Sequence, residues 1–305
     1  MHSISINKKN LEKIMSNKDT VAIKSMTSTS TKKEEEIVRV ASKTMIDWSS
    51  MLHSFFRWLL PPLIGLGLMT AVWSLIAHQV QGFPGPIQTW YSATELFSDP
   101  FYINGPNDQG IGWNILNSLK RVALGFGLAA LFGIPMGFII GRFEFISRMV
   151  APIIGILRPV SPLAWLPIGL LVFKAANPAA IWVIFISAIW PIIINTAVGV
   201  TKVPQDYMNV AKVLNLSEWK IVTRILFPSV LPYMMTGIRL SIGVAWLVIV
   251  AAEMLTGGVG LGFWVWDEWN NLVVEHIIIA IFVVGIVGLL LEQALILLAK
   301  RFSYE

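Results

Sequence analysis

Cysteine is absent from the 305 residues, which excludes disulfides and thiolate metal sites and leaves the redox compartment undecided. Charge is scarce too: Asp, Glu, Lys and Arg make up 13% of the chain, where a soluble domain carries about 25%. The four histidines, His2, His53, His78 and His276, are too scattered to grip a metal. The Gly-rich TGGVGLGFW (Thr256–Trp264) lacks the Gly-Lys-Ser/Thr that holds phosphate and magnesium, so it reads as a tight turn. Any energy source must then sit on another polypeptide.

Apolar side chains are what the chain has, at 55% of residues. Six runs approach the ~20 residues that a helix needs to cross a hydrocarbon core. They are Phe55–His78, Leu119–Ile140, Met149–Phe173, Ala179–Val200, Leu231–Leu255 and Ile277–Ala299. The third carries Pro152, Pro159, Pro162 and Pro167, which predicts a kinked or partly unwound helix whose freed carbonyls need neighbours or a wet cavity. The reading is an all-α membrane protein with six transmembrane helices. Residues 1–36 are too polar to support a core and read as a disordered cytoplasmic tail. Over 37–54, Ile37, Ala41, Met45, Trp48 and Leu52 recur at helical spacing, as in an amphipathic helix on the membrane surface or one packed on a partner. The membrane domain covers 55–299, and 300–305 is a short cytoplasmic end.

The net charge of +5 raises the question of nucleic acid, but its distribution answers for a membrane. Lysines and arginines crowd the segment before the first run, the connections holding Arg142, Arg148 and 203–228, and the end at Lys300 and Arg301. The stretches 79–118 and 256–276 hold none, and Lys174 alone marks the third alternate loop. This asymmetry predicts both termini on the cytoplasmic side of the membrane, with no nucleic-acid partner.

One polar segment, VPQDYMNVAKVLNLSEWKIVTRILFP (Val203–Pro228), interrupts the apolar pattern. It predicts two short helices: Pro204 starts the first, Asn215 takes a left-handed turn after it, Ser217 caps the second and Pro228 closes it. Val210, Ala211 and Leu214 form one apolar face, with Trp219, Val222 and Leu226 on the other. Helices this short are marginal in water and need something to dock into.

The segment resembles the coupling loop of ABC importer permeases, Glu-Ala-Ala, three residues, Gly, then Ile-x-x-Pro. Asn209-Val210-Ala211 stands at the Glu-Ala-Ala place, Asn215 at the Gly place, and Ile225–Pro228 closes the motif, so the Glu and the Gly are both replaced. TGIRLSIGVAW (Thr236–Trp246), AAEML (Ala251–Leu255) and LRPVSPLAWLPIGLLVF (Leu157–Phe173) extend the resemblance to the nitrate, bicarbonate, sulfonate and taurine branch. Gln81–Phe138 is similar to cyanobacterial-type nitrate or bicarbonate permeases. The resemblance implies the type I ABC importer permease fold, with Asn209, Val210, Ala211, Leu214, Asn215, Leu216 and Trp219 coupling to an ATPase. It implies a homodimer, two ATP-binding subunits that hold ATP and magnesium, an external substrate-binding protein, and no cofactor in this chain. The implied cargo is a small oxyanion, nitrate first, with bicarbonate or a sulfonate such as taurine as alternatives.

Charges inside spans cost about 2.5–3.5 kcal/mol each at a helix centre. Arg158 and Arg239 are expected at ~15 and ~12 Å from the cytoplasmic face. Both arginines can form one positive belt on an anion path, with Lys120 and Arg121 at its mouth and Glu253 near the outer end of the fifth span. Structural roles compete: snorkelling for Lys120 and Arg121, carbonyl bracing for the deeper arginines, helix packing for Glu253. Outside this family, an ATP-independent transporter or channel and a mere membrane anchor stay open. The docking-ready loop argues against the former, the in-span arginines against the latter.

Overall fold

The computed structural model describes residues 48–302, so the expected tail over 1–36, residues 37–47 and residues 303–305 lie outside the described residues. The chain divides into two compact units, Met1–Val72 and Trp73–Glu305. Helix α1 (Trp48–Gln79) includes positions 48–54 without interruption. It is followed by α2 (Pro86–Leu96), α3 (Ile111–Arg142), α4 (Glu144–Leu157), a 3-10 turn (Pro162–Trp165), α5 (Leu166–Phe173) and α6 (Ala176–Thr201). Then come α7 (Gln205–Val213), α8 (Glu218–Ile221), a π-helical turn (Val222–Leu226), α9 (Phe227–Thr256), α10 (Leu261–Asn270) and α11 (Val274–Phe302). The described residues form no named strand; one isolated bridge joins Ile103 and Gln109.

Among the described residues, five uninterrupted stretches are long and apolar enough to cross a membrane: Leu59–Gln79, α3, α6, the run Glu218–Thr256 and Val274–Ala299. The sixth expected span is broken. Its two pieces, α4 and Pro162–Phe173, meet at 97°. Pro159 and Pro162 explain the break, since neither can donate to the preceding turn and each ring crowds a carbonyl there. The expected kink is therefore a full bend, and Arg158 sits at its apex as the residue capping α4.

The core of the second unit forms around α6. A helix apolar on every side belongs either in a protein core or in lipid, and α6 takes the core, with Ala180, Val183, Ile184, Ala188 and Ile192 all at most 1% exposed. Its contacts with α3 advance in step along both helices. Gly125 lies against Ile184, Gly133 against Ile192 and Gly137 against Thr196, so the two run parallel and the small-residue stripe Gly125–Gly137 is a packing seam. With α9 the sense is reversed: Gly199 lies against Val230 and Tyr233, and the Ser241 hydroxyl donates to the Ala188 carbonyl.

The seam makes a stability prediction. A Cβ at Gly137 would stand 2.5 Å from the Thr196 side chain and 2.9 Å from the Ile193 carbonyl, with no flexible tip to yield. Gly137→Val is expected to cost about 1–3 kcal/mol of stability. Gly127, with nothing within 4 Å of the added carbon, is the control, and Gly127→Ala should be tolerated. Thermal unfolding of the purified permease compares the two; equal melting temperatures would refute the seam.

Candidate functional site

Three places in the second unit hold the chemistry. The first is the polar segment after α6. Asn215 adopts φ +49°, and behind it the Leu216 and Asn215 amides donate to the Ala211 and Lys212 carbonyls. This pair of bonds closes a helix through a left-handed residue, a conformation asparagine tolerates. Ala211 is fully buried and packs in one cluster with Met208, Ile221, Leu226 and Val230, which fixes α7 against the α8–α9 run. Val210, Leu214 and Trp219 point the other way, 56%, 63% and 76% exposed, with Tyr207 and Val213 beside them. Asn209 is exposed, and Leu216 is half-buried against the cluster. The expected apolar faces are thus divided: Ala211 and Leu226 hold the loop together, while Val210, Leu214 and Trp219 are uncovered.

Two local expectations are corrected. Ser217 occupies the N-cap position, but its side chain makes no capping hydrogen bond. Glu218 beside it instead accepts from both Nε and an Nη of Arg142, at 3.3 and 3.0 Å, tying the second short helix to the end of α3. Nor does Pro228 end that helix, since α8 continues into α9 to give one run of 39 residues. Pro228 lacks the N–H that would bond to Arg224, and the wider π turn just before it shifts the ladder to accommodate the missing donor.

The second place is a pair of cavities within the apolar helices. One, of about 260 Å³, is lined by Arg158, Trp165, Ser187, Trp190 and Pro191, with Val244 in its wall. Ser187 and Pro191 lie near the middle of α6, so the cavity is at the middle of a span. The Arg158 guanidinium has no ion-pair or hydrogen-bond partner among the described residues. The other cavity, of about 430 Å³, is lined by Arg239, Trp246, Gly288 and Glu292, and Val244 is in its wall as well. Trp246 closes across α11 by donating from Nε1 to the Val284 carbonyl at 2.9 Å. The two arginines expected in one belt therefore occupy separate cavities with Val244 between them.

The third place is a buried polar knot. Arg121 Nη1 meets Glu253 Oε1 at 2.5 Å, with side chains only 10% and 1% exposed. The Ser118 hydroxyl lies 2.9 and 2.8 Å from the two Glu253 oxygens, and the Gly262 amide donates to Oε2 at 3.0 Å. Arg121 Nε donates to Asn177 Oδ1 at 2.8 Å, and the Gly260 amide to Asn114 Oδ1 at 2.8 Å. Gly262 is required by this approach, because a Cβ there would lie 1.9 Å from the Val250 carbonyl oxygen. The expected tight turn is present at Gly257 and Gly258, with φ +75° and +88°. Lys120 is exposed on the opposite side of α3 and does not join the knot.

Sequence reasoning missed Asn114, Ser118, Asn177 and Glu292. Asn114, Ser118 and Arg121 are spaced four and three apart, hence on one helix face, and that spacing was the available signal. Glu292 is a carboxylate inside an apolar run, which the cost of intramembrane charge singles out.

Broken and unbroken spans around charged cavities, with a polar loop presenting apolar side chains beside them, define a membrane-embedded transport subunit. The chain belongs to the family of the binding-protein-dependent transport system inner membrane component, matched over residues 133–304. It is the permease of an ABC importer. A nitrate import permease protein, NrtB, of Synechocystis sp. is 48% identical over 76% of this chain and 85% of its own length. A bicarbonate transport system permease protein, CmpB, of the same organism is 45% identical over 80% and 89%. A taurine transport system permease protein, TauC, of Escherichia coli is 32% identical over 66% and 74%. Inward-facing structures of the MetNI methionine ABC transporter share the fold, with TM-score 0.54 at 14% identity, over 63% of this chain and 95% of theirs.

Proposed function

We propose that this permease carries nitrate, driven by ATP hydrolysed on partner subunits docked at the 203–228 segment. The uncovered Val210, Leu214 and Trp219 carry the docking half of the reading, because large apolar side chains on a polar, basic loop belong to an interface rather than to water. The substrate half is supported by the similarity to nitrate import permeases over most of both chains. Two ATP-binding subunits supply ATP and magnesium, a second copy of this chain completes the path, and a soluble binding protein delivers the anion on the other side. The exposed apolar faces of α4 and α5, with Phe145 at 80% and Leu171 at 78%, suit contact with that second copy or with lipid. The loop and both termini then face the cytoplasm, where the basic residues lie.

Within the path, Arg158 is the residue proposed to meet the anion. Arg239 lies in the neighbouring cavity, Lys120 is free to face the outer entrance, and Arg121 with Glu253 braces that entrance rather than lining it. Uptake by the complex reconstituted in vesicles, with ATP inside and loaded binding protein outside, tests the proposal. Nitrate uptake should require ATP, with bicarbonate and taurine competing poorly. ATP-independent uptake would favour a channel or secondary transporter; preferential bicarbonate uptake would move the chain to the CmpB-like alternative.

A further inference from the structure

We propose that Glu292 is the counter-charge of Arg239, which leaves the Arg158 cavity as the single net-positive station among the described cavities. The inference rests on the reading of this chain as an anion permease and adds to it where the anion halts. Arg239 on α9 and Glu292 on α11 line the same cavity but form no direct ion pair. Both are inside apolar helices, where an uncompensated charge is unfavourable and opposite charges share a wet space at lower cost. Trp246, bonded to Val284 and packed on Gly288, holds the two helices at this seam.

The Arg158 cavity differs in kind. No carboxylate lines it, and its other polar side chains are Ser187 and the indoles of Trp165 and Trp190. The Ser187 hydroxyl is already donated to the Val183 carbonyl, leaving the guanidinium as the lone full charge. Its volume of about 260 Å³ is many times the ~10–15 Å³ that one water needs on such a measure, so a small planar monoanion enters with part of its hydration kept. A partly hydrated anion beside one guanidinium is held weakly, as passage requires. Two uncompensated arginines on either side of Val244 would hold it more tightly and slow its release. Glu292 prevents that by cancelling the field of Arg239.

The test uses the whole reconstituted complex with Arg158→Gln, Arg239→Gln, Glu292→Gln and the double variant Arg239→Gln/Glu292→Gln. Arg158→Gln should lower uptake roughly tenfold or more, the scale of one unit charge across a few Å at intermediate dielectric, with its melting temperature unchanged. Glu292→Gln should make uptake about tenfold more sensitive to nitrate enclosed with the ATP, because Arg239 then retains the anion. Arg239→Gln should lower the melting temperature by removing the charge that offsets Glu292 across the shared cavity. The double variant should restore both the inhibition and the melting temperature toward native. Rescue supports the pairing, including the case in which a single variant fails to assemble and the double variant assembles. Additive losses in the double variant would overturn it, as would equal losses of uptake in Arg158→Gln and Arg239→Gln at unchanged stability. If the native complex carries no nitrate, the substrate assignment fails, whereas rescue of the melting temperature still decides the pairing.

Discussion

Val210→Asp or Leu214→Asp is expected to abolish ATP-driven uptake while leaving the permease folded and in the membrane. Both side chains are more than half exposed and neither belongs to the cluster that holds the loop together. A carboxylate there costs the free chain little, but in a docked interface it is desolvated without a partner, a penalty of several kcal/mol. The ATPase subunits should then either dissociate or hydrolyse ATP without transport. Ala211→Asp is the contrast, because Ala211 is fully buried and the charge would disrupt α7 itself. Co-purification of the ATPase, uptake and melting temperature on the same samples separate the cases. Normal assembly and normal uptake in both surface variants would refute the docking surface.

Glu253→Ala is expected to be the most damaging single change to stability. Arg121 would remain buried with its charge opposed only by neutral groups, and breaking a buried pair in this way costs about 3–5 kcal/mol. Two hydrogen bonds from Ser118 and Gly262 lose their acceptor at the same time. Glu253→Gln keeps acceptors but not the charge and should fall between. Removing both charges with Arg121→Leu/Glu253→Leu should be less harmful than the sum of the two single changes, by about 0.5–3 kcal/mol of coupling. Thermal unfolding of the four proteins measures it; strict additivity would mean that the pair is not an energetic unit.

The features legible in the sequence are those with a local cause. Twenty apolar residues state a span without knowledge of any neighbour, and Asn215 between two short amphipathic stretches states a left-handed turn. What was hidden depends on partners far along the chain. The apolar run placed the start of the second span at Leu119, yet α3 begins at Ile111. Asn114, Ser118 and Arg121 looked too polar for a buried helix because the groups that satisfy them come from Asn177, Glu253 and the amides of Gly260 and Leu261. Pro228 read as a stop because a π turn, which absorbs the missing donor, leaves no clear mark in residue type. The expected depths of Arg158 and Arg239 count residues along a helix, and such a count says nothing of which neighbours a side chain meets. Arg158, at the bend, and Arg239, inside α9, line different cavities.

The helical run from Glu218 to Thr256 has a mechanical consequence. At 1.5 Å per residue its 39 residues follow a helical path of about 58 Å. One end is tied to Arg142 through Glu218, and the far end is tied to Arg121 through Glu253. Both ends of the run are thus tied to the same helix, α3. Between the short helices and the turn at Gly257 the helix is continuous, with the π turn, Pro228 and Pro232 as the places where it can bend. Linkage makes the traffic two-way: an event at the far tip that favours one tilt must alter affinity at the loop by the same factor.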